Sequence, residues 1–174
     1  VLDADKNHNE KLLGEIDMLL RKAELKMQDI DACLCFVGPG SFTGIRVGVA
    51  TAKGFKDALG IKAYGINTLE YLSRLAMREN ADAQVFALYG SLNSYFVAHI
   101  KNGKLVYEST NQTLDQLMNI ANGRKIYVFS GSSHCEFAQG VDLSAEVLVS
   151  LADEVISRGD ERLTPVYFQL SQAE

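Results

Sequence analysis

Tryptophan is absent from this 174-residue chain, proline occurs twice and histidine three times. So few histidines leave little room for a metal centre or an imidazole base. A zincin needs His-Glu-x-x-His, but Asn9 follows His8, and Leu12 stands where the second histidine should be. His99 alternates along a strand-like run. His134 and Cys135 are adjacent, and sequence neighbours rarely have the geometry of a base and its nucleophile. Cysteine is also scarce. Cys33 and Cys35 are two apart in a strand-like run and share a face, an arrangement poorly set for a metal knuckle, so all three thiols read as buried and reduced. Positive charge is in deficit: 17 Lys and Arg against 22 Asp and Glu give a net charge of −5. That balance argues against electrostatic gripping of nucleic acid, which uses a basic face. No apolar run approaches the roughly 18 residues of a membrane span. No signal-peptide pattern is seen, so the chain reads as soluble and cytoplasmic, with no membrane partner. No pair of carboxylates stands out as an acid–base couple. Asp3 and Asp5 precede the first helix and favour its positive end. The opening "VLDADKNHNE" reads as mid-strand, so a preceding N-terminal piece is expected.

The apolar side is well supplied. Residues of the AVILMFWYC set make up 47% of the chain, enough for the core of one domain-sized unit. Asn7 and Glu10 form a capping-box pattern, and Leu12, Leu13, Ile16, Leu19, Leu20 and Ala23 then fall on one broad helical face. "DACLCFV" (31–37) is a short buried strand. Gly38 to Gly44 read as a loop, followed by a helix with Ile45, Gly48, Val49, Ala52, Phe55 and Leu59 at helical spacing, which Gly60 stops. "IKAYGI" (61–66) is the next strand, so this unit predicts a right-handed parallel crossover. Asn67 and Glu70 open a helix with Leu69, Leu72, Leu75 and Ala76 inward. Strands follow at 84–90 and 94–100. "KNGK" (101–104) carries the Asn-Gly hairpin signal into "LVYES". Thr113 with Gln116 starts a short helix ending near Gly123. "KIYVFS" (125–130) is a strand, Ser144 caps a helix to Arg158 that Gly159 stops, and "TPVYFQL" closes the chain. The class is α/β, with a change of lobe near 80–84.

The glycine-rich loop supports two readings. It fails the P-loop pattern, because no Lys-Ser or Lys-Thr follows, and it fails G-x-G-x-x-G because Thr43 replaces the third glycine. A helix N-terminus still favours an anion, so Gly38, Gly40, Ser41, Thr43, Gly44 and Arg46 form a candidate anion-binding loop. Alternatively, Gly44, Gly48 and Ala52 lie four apart on one helix face and let another backbone come close.

At "GPGSFTGIRVGVATAKGF" (38–55) the chain closely resembles the TsaB (YeaZ) family, a group related to the Gcp-like, glycoprotease-labelled proteins. "NHNEKLL" is similar to the family's His-Ser-Glu helix start, with Asn9 for Ser. "ALGIKAYGINTLEYL" resembles the strand and helix after the loop. In "ALYGSLNSYFVA" the family's Asp-Ala-Arg segment is replaced by Tyr89, Gly90 and Ser91, with Ser94 in place of its Glu. "TPVYFQ" matches a Pro-x-Tyr-Leu-Arg pattern, with Phe168 and Gln169 replacing the last two residues. Only residues 35–70 are highly specific.

The resemblance implies a two-lobed fold of the actin, Hsp70 and sugar-kinase type. Residues 1–80 would form an N-terminal lobe without its opening strands and their Asp-Thr motif, and 81–174 the C-terminal lobe. It implies a non-catalytic subunit for making threonylcarbamoyladenosine at position 37 of tRNA. Such a subunit binds the metal-bearing catalytic subunit TsaD, supports the ATPase TsaE and reaches tRNA only indirectly. No cofactor of its own is implied, although ATP or ADP could be held in the complex. The partner contact would use the two helices of the N-terminal lobe: Leu13, Ile16 and Leu20 on the first, and Val47, Gly48, Thr51 and Ala52 on the second. Leu12, Ile16 and Leu19 would face the sheet. The same surface could form a homodimer. An ATP-dependent small-molecule transferase and a metallopeptidase are the rival readings.

Overall fold

The computed structural model describes residues 8–90, 92–132, 134–159, 161 and 163–166. Asp3, Asp5, Asn7, Ser91 and the last residues of "TPVYFQL" lie outside these, as do the side chains of residues 8–10.

The chain opens with α1 (His8–Lys22), a short 3-10 turn (Met27–Asp29) and β1 (Ala32–Gly38). Helix α2 (Phe42–Leu59) then crosses over to β2 (Lys62–Asn67), which runs parallel to β1 with Ala32 opposite Lys62, the pairing a strand–helix–strand unit requires. These two strands form a sheet of their own. Helix α2 begins earlier than the glycine pattern suggests. Ser41 is its N-cap, with its hydroxyl accepting from the Gly44 N–H, so Phe42 and Thr43 are already helical. It ends where expected, at Gly60 with φ of 70°.

Helix α3 (Thr68–Glu79) follows without a loop. The Asn67 carboxamide oxygen accepts from the N–H groups of Leu69 and Glu70, at 2.8 and 3.2 Å. A second sheet comes next: β3 (Val85–Tyr89), β4 (Ser94–Lys101), β5 (Lys104–Tyr107), β6 (Gln112–Thr113), β7 (Ile126–Phe129) and β8 (Gln139–Val141), with α4 (Leu114–Ala121) before β7 and α5 (Ala145–Arg158) after β8. The sheet is mixed. Its order is β5-β4-β3-β7-β8, with β6 on β4; β3–β7 and β7–β8 are parallel and the rest antiparallel. Asn102 and Gly103 both take positive φ, 54° and 72°, in the turn between β4 and β5, which a two-residue hairpin of this twist requires. Thr113 and Gln116 form the expected capping box, and Ser144 caps α5. Strands β6 and β8 and the 3-10 turn are not evident in the sequence pattern; each is two or three residues long.

The main core lies between the sheets. It joins Tyr64 and Ile66 of β2, the inner face of α3, Phe86 and Tyr127 of the second sheet and Leu151 and Val155 of α5. A second cluster lies under α4, centred on Val97, Leu117 and Val128. The third joins α2 to β1, β2 and Leu163. The Tyr71 hydroxyl donates to the Ser144 carbonyl at 2.9 Å and accepts from the Ser144 N–H at 3.0 Å, so it fixes the start of α5.

Leu72 has no solvent exposure, so Leu72→Ala is expected to cost about 2–5 kcal/mol. Removing the α3 cap with Asn67→Ala should cost about 1 kcal/mol. Urea unfolding followed by circular dichroism measures both.

Candidate protein-docking site

The Lys62 N–H donates to the Asp31 carbonyl. Period-two alternation along a strand therefore turns the main-chain groups of Ala32, Leu34 and Phe36 to the opposite edge of β1. Among the described residues no strand pairs there. A groove of about 600 Å³ follows this edge. One wall is Leu12 and Ile16 of α1 with Val47 and Gly48 of α2, and the groove reaches Cys33 and Cys35 on that face of β1. The other wall is Leu34 and Phe36 backed by Tyr71, Phe129 and Leu143. The Phe36, Tyr71 and Phe129 rings succeed one another at 5.4 and 6.1 Å between centroids.

Small residues set the width of this groove. A Cβ at Gly48 would come within 3.1 Å of the Cys35 sulfur, so glycine lets β1 lie against α2. At Gly38, with φ of 108°, a Cβ would meet the Val166 carbonyl oxygen at 2.8 Å. Val166 N–H donates to the Val37 carbonyl at 2.7 Å, and the Lys56–Glu161 ion pair at 2.6 Å ties the same late segment to α2. That hydrogen bond raises the Lys56 pKa and lowers that of Glu161.

Helix α1 carries two apolar faces. Leu12 and Ile16 line the groove at β1. Leu13, Ile16 and Leu20, with Leu25, Met27 and Phe55, line a second hollow of about 390 Å³ on the outer side. Leu13 is 59% exposed. Leu19, expected to face the sheet, is instead 64% exposed; the helix packs on α2. On α2, Ile45, Val49 and Ala52 are buried in the chain's own core, while Val47, Gly48, Thr51 and Phe55 are half-buried at the groove. Leu59, at helical spacing with these residues, is exposed. The structure thus brings Ile16, Val47, Gly48, Thr51 and Ala52 to one groove and Leu13, Ile16 and Leu20 to the adjoining one. Sequence reasoning missed Phe55, Tyr71 and Phe129 as walls. Spacing of aromatics on α2 could have signalled Phe55, but the other two arrive from elements distant in sequence.

In the glycine loop, the Ser41 hydroxyl is engaged with Gly44 N–H, and the Arg46 guanidinium lies 3.7 Å from the centre of the Phe42 ring. Gly40, Thr43 and Gly44 are exposed. The Asp-Ala-Arg position holds Tyr89 and Gly90, and Gly90 N–H donates to the Ser94 carbonyl at 2.7 Å. Cys135 is buried, so its neighbour His134 meets no accessible thiol. Among the described residues no three His, Cys, Asp or Glu side chains converge as a metal site, and no helix is long and apolar enough to cross a membrane.

Burial raises both thiols at the groove, and Cys35, with Cys33 beside it, is pushed up to about 11.

A family model described as "TsaD: tRNA N6-adenosine threonylcarbamoyltransferase" matches residues 2–132. A Buchnera aphidicola protein named tRNA threonylcarbamoyladenosine biosynthesis protein TsaB is 28% identical over 117 residues, 66% of this chain and 55% of the relative. The Escherichia coli protein of the same name is 30% identical over 82 residues, 47% of this chain and 36% of the relative. Only about half or less of the curated relatives' length is spanned. A Pseudomonas aeruginosa crystal structure, described as an uncharacterised protein with similarity to peptidase YEAZ, superposes with a TM-score of 0.70 at 23% identity. It covers 94% of this chain and 85% of its own, and so the two share a two-sheet α/β fold.

At pH 8 a thiol with its pKa near 11 is about one part in a thousand thiolate, against about one in ten at the ordinary value of 9.0. Alkylation of Cys35 in the native protein should therefore be about a hundredfold slower than in urea, as read by peptide mass spectrometry. A raised thiol pKa stabilises the fold below pH 9.0, and that contribution is lost progressively toward pH 11.

Proposed function

Since this chain belongs to the tRNA N6-adenosine threonylcarbamoyltransferase family, and within it to the TsaB (YeaZ) group, we propose that it is a non-catalytic subunit of the machinery that makes threonylcarbamoyladenosine in tRNA. It docks a catalytic partner of the TsaD type on α1 and α2. The observation that carries this reading is the apolar double face of α1. An isolated surface helix buries one stripe, yet α1 offers Leu13, Leu20 and the outer hollow in addition to the stripe at the groove. Exposed apolar area of this kind, rimmed by Asp17, Arg21 and Lys26, is characteristic of a protein interface.

The partner would supply the metal chemistry and the tRNA surface, in keeping with the net charge of −5. A TsaE-type ATPase, with any ATP or ADP, would be met within the complex. In the absence of the partner the same face could pair two copies of the chain. Residues 1–80 serve in this reading as the docking lobe and 81–174 as its support, in the cytoplasm. The rival transferase reading draws no support from the glycine loop, where the Ser41 hydroxyl already caps α2 and Arg46 stacks on Phe42.

Isothermal titration of the purified chain with the TsaD protein of the same organism tests the docking. Leu13→Ala with Leu20→Ala should weaken the complex at least tenfold, because a few buried anchors carry most of an interface's energy. The melting temperature should fall by no more than a few degrees, since Leu13 is largely exposed. No complex with the unaltered chain, with or without ATP, would overturn the proposal.

A further inference from the structure

Far along the chain from α1 and α2, the turn between β3 and β4 faces the loop after β7 across a depression of about 560 Å³. Three features meet there. The first is apolar. Leu92 is 80% exposed, although it sits in a left-handed turn with φ of 54°, followed by Asn93 at 56°. A branched side chain is disfavoured in that conformation, and an exposed one gains nothing from the fold. Leu114 and Phe137 are also exposed at the rim.

The second is aromatic. The His134 ring stacks on Tyr89 with centroids 4.4 Å apart, and Phe137 meets Tyr95 edge-on at 5.8 Å. The Tyr95 hydroxyl donates to the His134 carbonyl at 3.0 Å, which fixes the loop that carries these rings. The third is electrostatic. Asp115, in the first turn of α4, and Glu136 both line the depression. Neither has an ion-pair partner among the described residues, and no lysine or arginine lines the hollow.

We propose that this depression docks an arginine side chain borne on an extended, apolar-flanked segment of a partner protein. The carboxylates of Asp115 and Glu136 receive the guanidinium, while Phe137 and Leu92 cover its stem and the neighbouring apolar residue. Arginine suits the site better than lysine because its planar, weakly hydrated group stacks on rings and can bridge two carboxylates. Nucleic acid is disfavoured, since its phosphates would meet two negative charges. The surface is separate from α1 and α2, so it stands or falls independently of the docking face proposed above.

The test is a nitrogen-15 NMR titration of the full chain with three probes: acetyl-Gly-Leu-Arg-Leu-Gly-amide and its Lys and Glu counterparts. The arginine peptide should give saturable shifts at Leu92, Asn93, Tyr95, Glu136 and Phe137 and bind at least several-fold more tightly than the lysine peptide. Asp115→Asn with Glu136→Gln should weaken it roughly tenfold, and Phe137→Ala several-fold. Each variant's melting curve establishes that it folds. Raising the salt from 0.05 to about 0.5 M should weaken binding to the unaltered chain, which keeps the test decisive should a variant fail to fold. Equal binding of the glutamate or lysine peptide, shifts confined to α1 and α2, or unchanged affinity in the double amide variant would overturn the proposal.

Discussion

The burial of α3 is the constraint on which the rest of the structure depends. Leu69, Leu72 and Ala76 have no solvent exposure, and the helix packs against β1 and β2 on one side and β3, β7 and α5 on the other. Neither the two-stranded sheet nor the larger one could bury its inner face without it. Several devices set its position. Asn67 ends β2 and caps α3 in the same residue, so there is no slack between strand and helix. Tyr71 then holds Ser144, the N-cap of α5, through both its N–H and its carbonyl. Outside the core, Arg74 and Arg78 pair with Glu154 and Glu146 along the α3–α5 seam. These exposed pairs add alignment more than stability.

Much of this was legible in the sequence because the signals were local. Asn67 with Glu70, Thr113 with Gln116, Ser144 and the Asn102-Gly103 pair each specify a boundary through one side chain or one backbone angle. The parallel pairing of β1 and β2 followed from the helix that joins them. Strands β6 and β8 escaped detection because two or three residues cannot display a period. Spacing groups Leu59 with Ile45, Val49 and Ala52 and sets Leu19 toward the sheet, yet both are exposed. Helical periodicity states which residues share a face, but it cannot state where the neighbouring element stops.

The candidate docking site was less legible than the fold. Its helical residues could be named, since Ile16, Val47 and Gly48 belong to periodic segments. The far wall could not, because Tyr71 and Phe129 reach it through the tertiary packing of α3 and β7. The glycines of α2 show how one sequence feature can carry two meanings. Gly48 makes room for Cys35 within the chain and also leaves a shallow place where another chain could approach. Ser41, in contrast, has a single role in the structure: its hydroxyl closes the first turn of α2.

Among the described residues one side of β1 has no strand beside it, and a strand edge of that kind carries a cost. A run such as Ala-Cys-Leu-Cys-Phe-Val, without charge or proline and with half its amides facing no strand among the described residues, has the makings of a cross-β seed. The neighbouring α1 places Leu12 and Ile16 along part of that edge, which leaves less room for a like strand to stack there. Anything that covered the groove would then lengthen the time the chain survives in solution, by hiding the strand edge from its copies.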